Sequence, residues 1–122
     1  MKIRQLTPVI GAEISGVHLG DASRDADLFA EIKAALLKHR VIFLRDQDIT
    51  RAEHVAFARR FGSLEVNVAA GHYTMPGHPE VMILSNVIEN GRAIGLADAG
   101  QDWHTDMSYS KPIAFLNVLH AI

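Results

Sequence analysis

His104 and Asp106 stand two residues apart within Trp103-His104-Thr105-Asp106-Met107-Ser108-Tyr109, and an imidazole nitrogen beside a carboxylate oxygen is a pair that can bind a divalent metal. Trp, Thr and Tyr are strand formers, and in an extended strand alternate side chains leave on one face, with their Cα atoms roughly 6.5 to 7 Å apart. One ion can bridge that gap. The pair makes up two of the three ligands of the 2-His-1-carboxylate facial set, which leaves positions open on non-haem Fe(II). A lone His-x-Asp is otherwise a frequent chance match, two solvated polar groups on a strand edge, so its surroundings decide. Trp103 and Thr105 take the opposite parity, giving one apolar or β-branched face and one ligand face. Pro112 closes the segment, and Ile113 to Leu119 reads as a second, mostly buried strand.

The elements that must hold this pair are legible upstream. Ile3 to Val17, with Gly11 and Gly16, predicts two small edge strands or one strand bent near Pro8. From Asp25 to Arg40 the spacing of Leu28, Phe29, Ile32 and Leu36 predicts a helix with one buried face, and Lys38, His39 and Arg40 suit its C-terminal dipole. Val41 to Leu44 follows as a short strand. Thr50 and Glu53 form a capping box that opens a second helix, with Val55, Ala58 and Phe61 inward and Gly62 at its end. Arg51, Arg59 and Arg60 read as solvated. Residues 63–80 read as a long surface loop, Val81 to Ile88 as a central strand and Glu89-Asn90-Gly91-Arg92 as a turn or hairpin start. Ala93 to Gln101 then makes a flexible approach to the ligand strand.

Composition narrows the possibilities further. Hydrophobic residues make up 48% of the 122 and charged residues 21%, a profile that folds rather than stays disordered. A formal charge of −2 gives no basic field for nucleic acid or an anionic membrane surface. With no cysteine, disulfides and thiolate metal sites are excluded, so any metal uses nitrogen and oxygen. No window approaches the length of a membrane span or signal peptide, and a cytoplasmic enzyme or binding protein is the expectation.

Four separated stretches, Ile10-Gly11-Ala12-Glu13-Ile14-Ser15-Gly16, Val41-Ile42-Phe43-Leu44-Arg45-Asp46-Gln47, Phe57-Ala58-Arg59-Arg60-Phe61-Gly62 and Trp103-His104-Thr105-Asp106, complete the pattern. In that order they resemble the N-terminal half of the taurine dioxygenase and 2,4-dichlorophenoxyacetate dioxygenase family of Fe(II)- and 2-oxoglutarate-dependent oxygenases. The resemblance implies an α+β fold: the N-terminal portion of a double-stranded β-helix, or jelly roll, with flanking helices and an incomplete barrel. Residues 1–122 would then be a single partial domain. It also implies Fe(II) held by His104 and Asp106, 2-oxoglutarate as co-substrate and a small sulfonate, aryloxy or carboxylate substrate that is hydroxylated. In that family the second histidine and the arginine that pairs with 2-oxoglutarate lie far downstream. No co-substrate-binding residue is therefore expected here, and the 122 residues read as an N-terminal fragment without turnover of its own.

Members that act on taurine carry a histidine shortly after Phe-Gly-x-Leu; counting from Phe61, the matching position is Asn67, a departure that counts against taurine itself. His72, Tyr73 and Tyr109 are further candidate substrate contacts, each with an ordinary loop or packing role as its alternative. Among the other histidines, His120 on the next expected strand is the one a hairpin could bring to the metal, while His18, His39, His54 and His78 read as surface or capping residues. Two other classes stay open. One is a non-catalytic interaction module whose exposed strand edge, Ile113 to Ile122, seeks a partner or self-associates. The other is a cupin-like metal protein that ignores 2-oxoglutarate.

Overall fold

A computed structural model describes residues 1–67 and 71–122, which divide into two units, Met1–Gly62 and Ser63–Ile122. In the first unit Lys2–Gln5 (β1) pairs antiparallel with Ala12–Ser15 (β2), Lys2 opposite Ser15 and Gln5 opposite Ala12. The reversal between them is held by Thr7, whose hydroxyl accepts from the amides of Val9 and Ile10 at 3.3 and 3.0 Å. Ile42–Leu44 (β3) adds parallel to the other side of β2, so β2 is the central strand rather than edge scaffolding. Its inward parity explains this: Ala12 and Ile14 are 0% and 2% exposed.

Leu19–Ala22 (α1) starts at His18, whose Nδ1 accepts from the Gly20 amide, and Ala26–His39 (α2) starts at Asp25, whose carboxylate accepts from Asp27 and Leu28. The deepest residues of α2 are Phe29, Ile32, Ala35 and His39; Leu28 and Leu36, at the margins of the same stripe, are half-buried. Arg51–Arg59 (α3) carries the expected capping box, and the residue it buries is Phe57, with Val55, Ala58 and Phe61 only half-buried. Phe57 is deepest because it joins Phe29 and Phe61 in a cluster of edge-to-face rings, with centroids 4.8 to 6.1 Å apart. Arg60 is not a solvated arginine. Its guanidinium lies 4.7 Å over the Phe29 ring and donates to the Ser23 carbonyl at 3.2 Å.

The Glu53 carboxylate accepts from both the amide and the hydroxyl of Thr50, at 2.9 and 3.0 Å. The Thr50 amide first, then its hydroxyl, and more weakly His18 and Arg24, hold Glu53 below its usual value of 4.5. A lowered folded-state value stabilises the protein above the unfolded value and is lost as pH falls through the folded one. Acidification below about pH 4.5 is therefore expected to lower the thermal midpoint of the helical far-UV signal, and Glu53→Gln to remove that part of the pH dependence. An identical acid limb in Glu53→Gln contradicts it.

In the second unit the stretch read as a loop contains Thr74–Met75 (β4) paired antiparallel with His78–Met82 (β5). Its residues 68–70 lie outside the described residues. The apolar run Val81 to Ile88 is not one central strand. Ile83 donates to the Tyr73 carbonyl on one side and accepts from Leu96 on the other, and Leu84 meets Leu96 in an isolated bridge, so the run changes partners midway. Ile88–Glu89 (β6) and Arg92–Ala93 (β7) form the expected hairpin; Asn90 and Gly91, at φ 50° and 75°, fit the mirror-image turn that suits strand twist.

Residues 103–122 differ most from expectation. Trp103 to Tyr109 forms no strand, with a turn at 106–109 and Met107 at φ 54°, and Ile113 to Leu119 belongs to no sheet among the described residues. Nor is that second segment buried: Ile113, Phe115 and Leu119 are 69%, 60% and 82% exposed. A strand needs a ladder of hydrogen bonds as well as an apolar parity, and among the described residues no ladder runs along it. Among the described residues the strands form three small sheets and no closed barrel, and no helix is long and apolar enough to cross a membrane.

Candidate functional site

His104 and Asp106 come together without the strand that was expected to align them. The chain turns through 106–109, with the Ser110 amide donating to the Met107 carbonyl at 3.0 Å, and His104 Nε2 lies 3.1 Å from Asp106 Oδ1. Both side chains are about half exposed.

The far side of each group is occupied as well. His104 Nδ1 lies 2.6 Å from the Asp102 carbonyl oxygen, and the Asn117 amide nitrogen donates to Asp106 Oδ2. Both neighbours of the imidazole are therefore acceptors, while a neutral ring has only one N–H to give. The ring must carry two protons, or else direct the lone pair of Nε2 at a cation. The Asp102 carbonyl, and after it the charge of Asp106, hold the imidazole above its usual value of 6.5. With Nδ1–H given to the Asp102 carbonyl, Nε2 is the nitrogen that could coordinate a cation, the arrangement typical of metal-bound histidine.

The separation fits one ion. Two donors each about 2.1 Å from a metal and at right angles stand about 3 Å apart. The pair is thus matched to adjacent positions of an octahedral ion. Among the described residues no group of three or more His, Asp and Glu gathers where an ion could sit, so His120 does not complete a set with them.

Gly100 shapes the other edge of the imidazole. At φ +76° it occupies a conformation that glycine adopts freely, and a Cβ built there would lie 2.9 Å from His104 Cε1 and 3.5 Å from Nε2.

Tyr109 is 65% exposed and its hydroxyl donates to Met107 Sδ at 3.3 Å. His72 stacks on Tyr73, with ring centroids 4.2 Å apart, and Asn67 is half-buried outside the strands. Asp102, Gly100 and Asn117 were not singled out by the sequence reading. For Asn117 a signal was present: it is the polar residue in a parity otherwise made of Ile113, Phe115 and Leu119.

The sequence matches the family described as "Taurine catabolism dioxygenase TauD, TfdA family" over residues 2–122. It is 35% identical to pentalenolactone F synthase of Streptomyces arenae, over 97% of this chain and 41% of that protein. It is 33% identical to the (S)-phenoxypropionate/alpha-ketoglutarate-dioxygenase of Sphingobium herbicidovorans, over 88% of this chain and 35% of that one. A crystal structure of a candidate alpha-ketoglutarate-dependent taurine dioxygenase from Burkholderia xenovorans superposes with a TM-score of 0.61 at 44% identity, covering 72% of this chain and 31% of that one. The chain thus spans about two fifths or less of the length of these relatives.

Proposed function

The chain belongs to the TauD/TfdA dioxygenase family, and on that footing we propose that His104 and Asp106 are the first histidine and the carboxylate of an Fe(II) site serving 2-oxoglutarate-dependent hydroxylation. The observation that carries this reading is the 3.1 Å approach of Nε2 to Oδ1 with the outer nitrogen and oxygen each held by another group. A pair of solvated polar groups has no reason to be fixed from both sides. The unbroken family match over residues 2–122 supports taking both units as parts of one jelly-roll domain.

The reaction would be R–H + 2-oxoglutarate + O₂ → R–OH + succinate + CO₂. Bound iron would supply the open coordination positions and the redox chemistry; the residues of this chain would orient two donors, the Asp102 carbonyl taking Nδ1–H so that Nε2 faces the ion. A small aryloxy or sulfonate acid is the substrate class favoured by the relatives' names, with Tyr109, His72, Tyr73 and Asn67 as the residues to test for contact. Two protein ligands hold iron weakly. We therefore place the third ligand and the cation that anchors 2-oxoglutarate outside these 122 residues, and expect no turnover from these residues alone.

The test is succinate formation by the full-length protein with Fe(II), 2-oxoglutarate and a panel of aryloxy and sulfonate acids. Substrate-dependent succinate is expected. A second reading, a non-catalytic interaction module, draws on the exposed Ile113, Phe115 and Leu119, and it gains if iron binds yet no succinate forms with any member of the panel.

Gly100→Ala gives a check close to the ligands. The added methyl presses on the His104 ring and strains the backbone, so divalent-metal affinity is expected to fall by about 10-fold, as when a metal ligand loses its orienting partner. Unchanged affinity by calorimetric titration would show that the imidazole is not positioned by this contact.

A further inference from the structure

We propose that Asn117 is a positioning residue for Asp106: its carboxamide occupies Oδ2, so that Asp106 meets a metal through Oδ1 alone. This rests on the ligand reading above and goes beyond it. A carboxylate can coordinate through one oxygen or through both, and binding through both takes an additional position on the metal. A facial site works only while the positions opposite the protein ligands stay free for the other reactants. Asp106 Oδ1 faces His104 Nε2 at 3.1 Å, while Oδ2 accepts from the Asn117 amide nitrogen, eleven residues along the chain.

The choice of side chain suits that task. An amide donates a hydrogen bond without adding charge, so Oδ2 is occupied while the full negative charge of Asp106 remains available to a cation. Lysine or arginine at 117 would hold the same oxygen but compete electrostatically with the metal. An amide also cannot titrate, so the restraint is the same at every working pH. Asn117 is exposed, in the same parity as the exposed Ile113, Phe115 and Leu119, and is the one member of that set able to donate to a carboxylate.

The experiment is titration of the full-length protein with Co(II), read by affinity and by the visible ligand-field spectrum, in wild type, Asn117→Ala, Asn117→Asp, Asn117→Gln and, as a control, His104→Ala. Asn117→Ala should bind 10- to 100-fold more weakly, the usual cost of losing an outer partner of a ligand. Its spectrum should also change, because Asp106 is free to turn its second oxygen to the metal. Asn117→Asp, which cannot donate to Oδ2, should show the same spectral change, and Asn117→Gln should recover part of the loss. Asn117 is exposed, so the far-UV spectrum should not change in any of them. Affinity within twofold of wild type and an unchanged spectrum in Asn117→Ala overturn the proposal while leaving the ligand pair standing. If wild type binds Co(II) no better than His104→Ala, the ligand pair is refuted and the role of Asn117 falls with it.

Discussion

His104→Ala and Asp106→Ala are each expected to lower divalent-metal affinity by more than the 10- to 100-fold that follows loss of an outer-shell partner, because each deletes a donor rather than loosening one. Within these 122 residues a single donor would then remain, and one donor makes no chelate. Asp106→Asn separates charge from shape: its size is nearly that of aspartate and it can still accept from Asn117, but it brings no negative charge to balance a cation. It should therefore resemble alanine in affinity while keeping the fold. Calorimetric or Co(II) titration decides the matter, and an Asp106→Asn protein that binds like wild type would remove Asp106 from the site. The side chains are half exposed, so none of these changes should shift the unfolding midpoint appreciably.

Ile32→Ala should act in the opposite way, costing stability and leaving the donors untouched. Ile32 is 0% exposed in α2, and truncating a fully buried isoleucine costs about 2 to 5 kcal/mol. A unit the size of Met1–Gly62 would carry roughly 3 to 9 kcal/mol if it followed the usual stability per residue. The substitution thus removes between a quarter and all of what holds it together. Urea unfolding followed by far-UV circular dichroism measures the loss. A destabilisation under 1 kcal/mol would mean that the site collapses around the missing atoms far better than its burial implies.

The features that were legible in the sequence are those whose cause is local. Thr50 and Glu53 are three residues apart and satisfy one another, so their box needs nothing from the rest of the chain. Asn90-Gly91 sets a turn by its own backbone preference, and the 3.6-residue spacing through Phe29 and Ile32 marks the buried face of α2. What stayed hidden depends on partners distant in sequence. Val81 to Ile88 has the composition of one strand, yet Tyr73 and Leu96 divide its hydrogen bonds between them. Arg60 looked like any helix-end arginine because nothing in its neighbourhood announces the Phe29 ring.

The site shows the same division. His104 and Asp106 lie 3.1 Å apart, but not on the strand expected of them: His104 and Thr105 belong to no strand and Asp106 opens a turn. The alternation in Ile113 to Leu119 was legible, and its pairing was not, because alternation describes one face and says nothing of what lies at the edge. The Asp102 carbonyl escaped notice because a backbone acceptor leaves no trace in the sequence, and Asn117 because a polar residue in an apolar parity does not name its partner.

Trp103 is the only tryptophan in the chain, is fully exposed, and directly precedes His104. Its emission therefore reports on this one locality with no background from other indoles, and an open-shell ion captured next door should quench it. Loading, chelation and exchange can accordingly be followed in real time with ultraviolet excitation alone, no label attached.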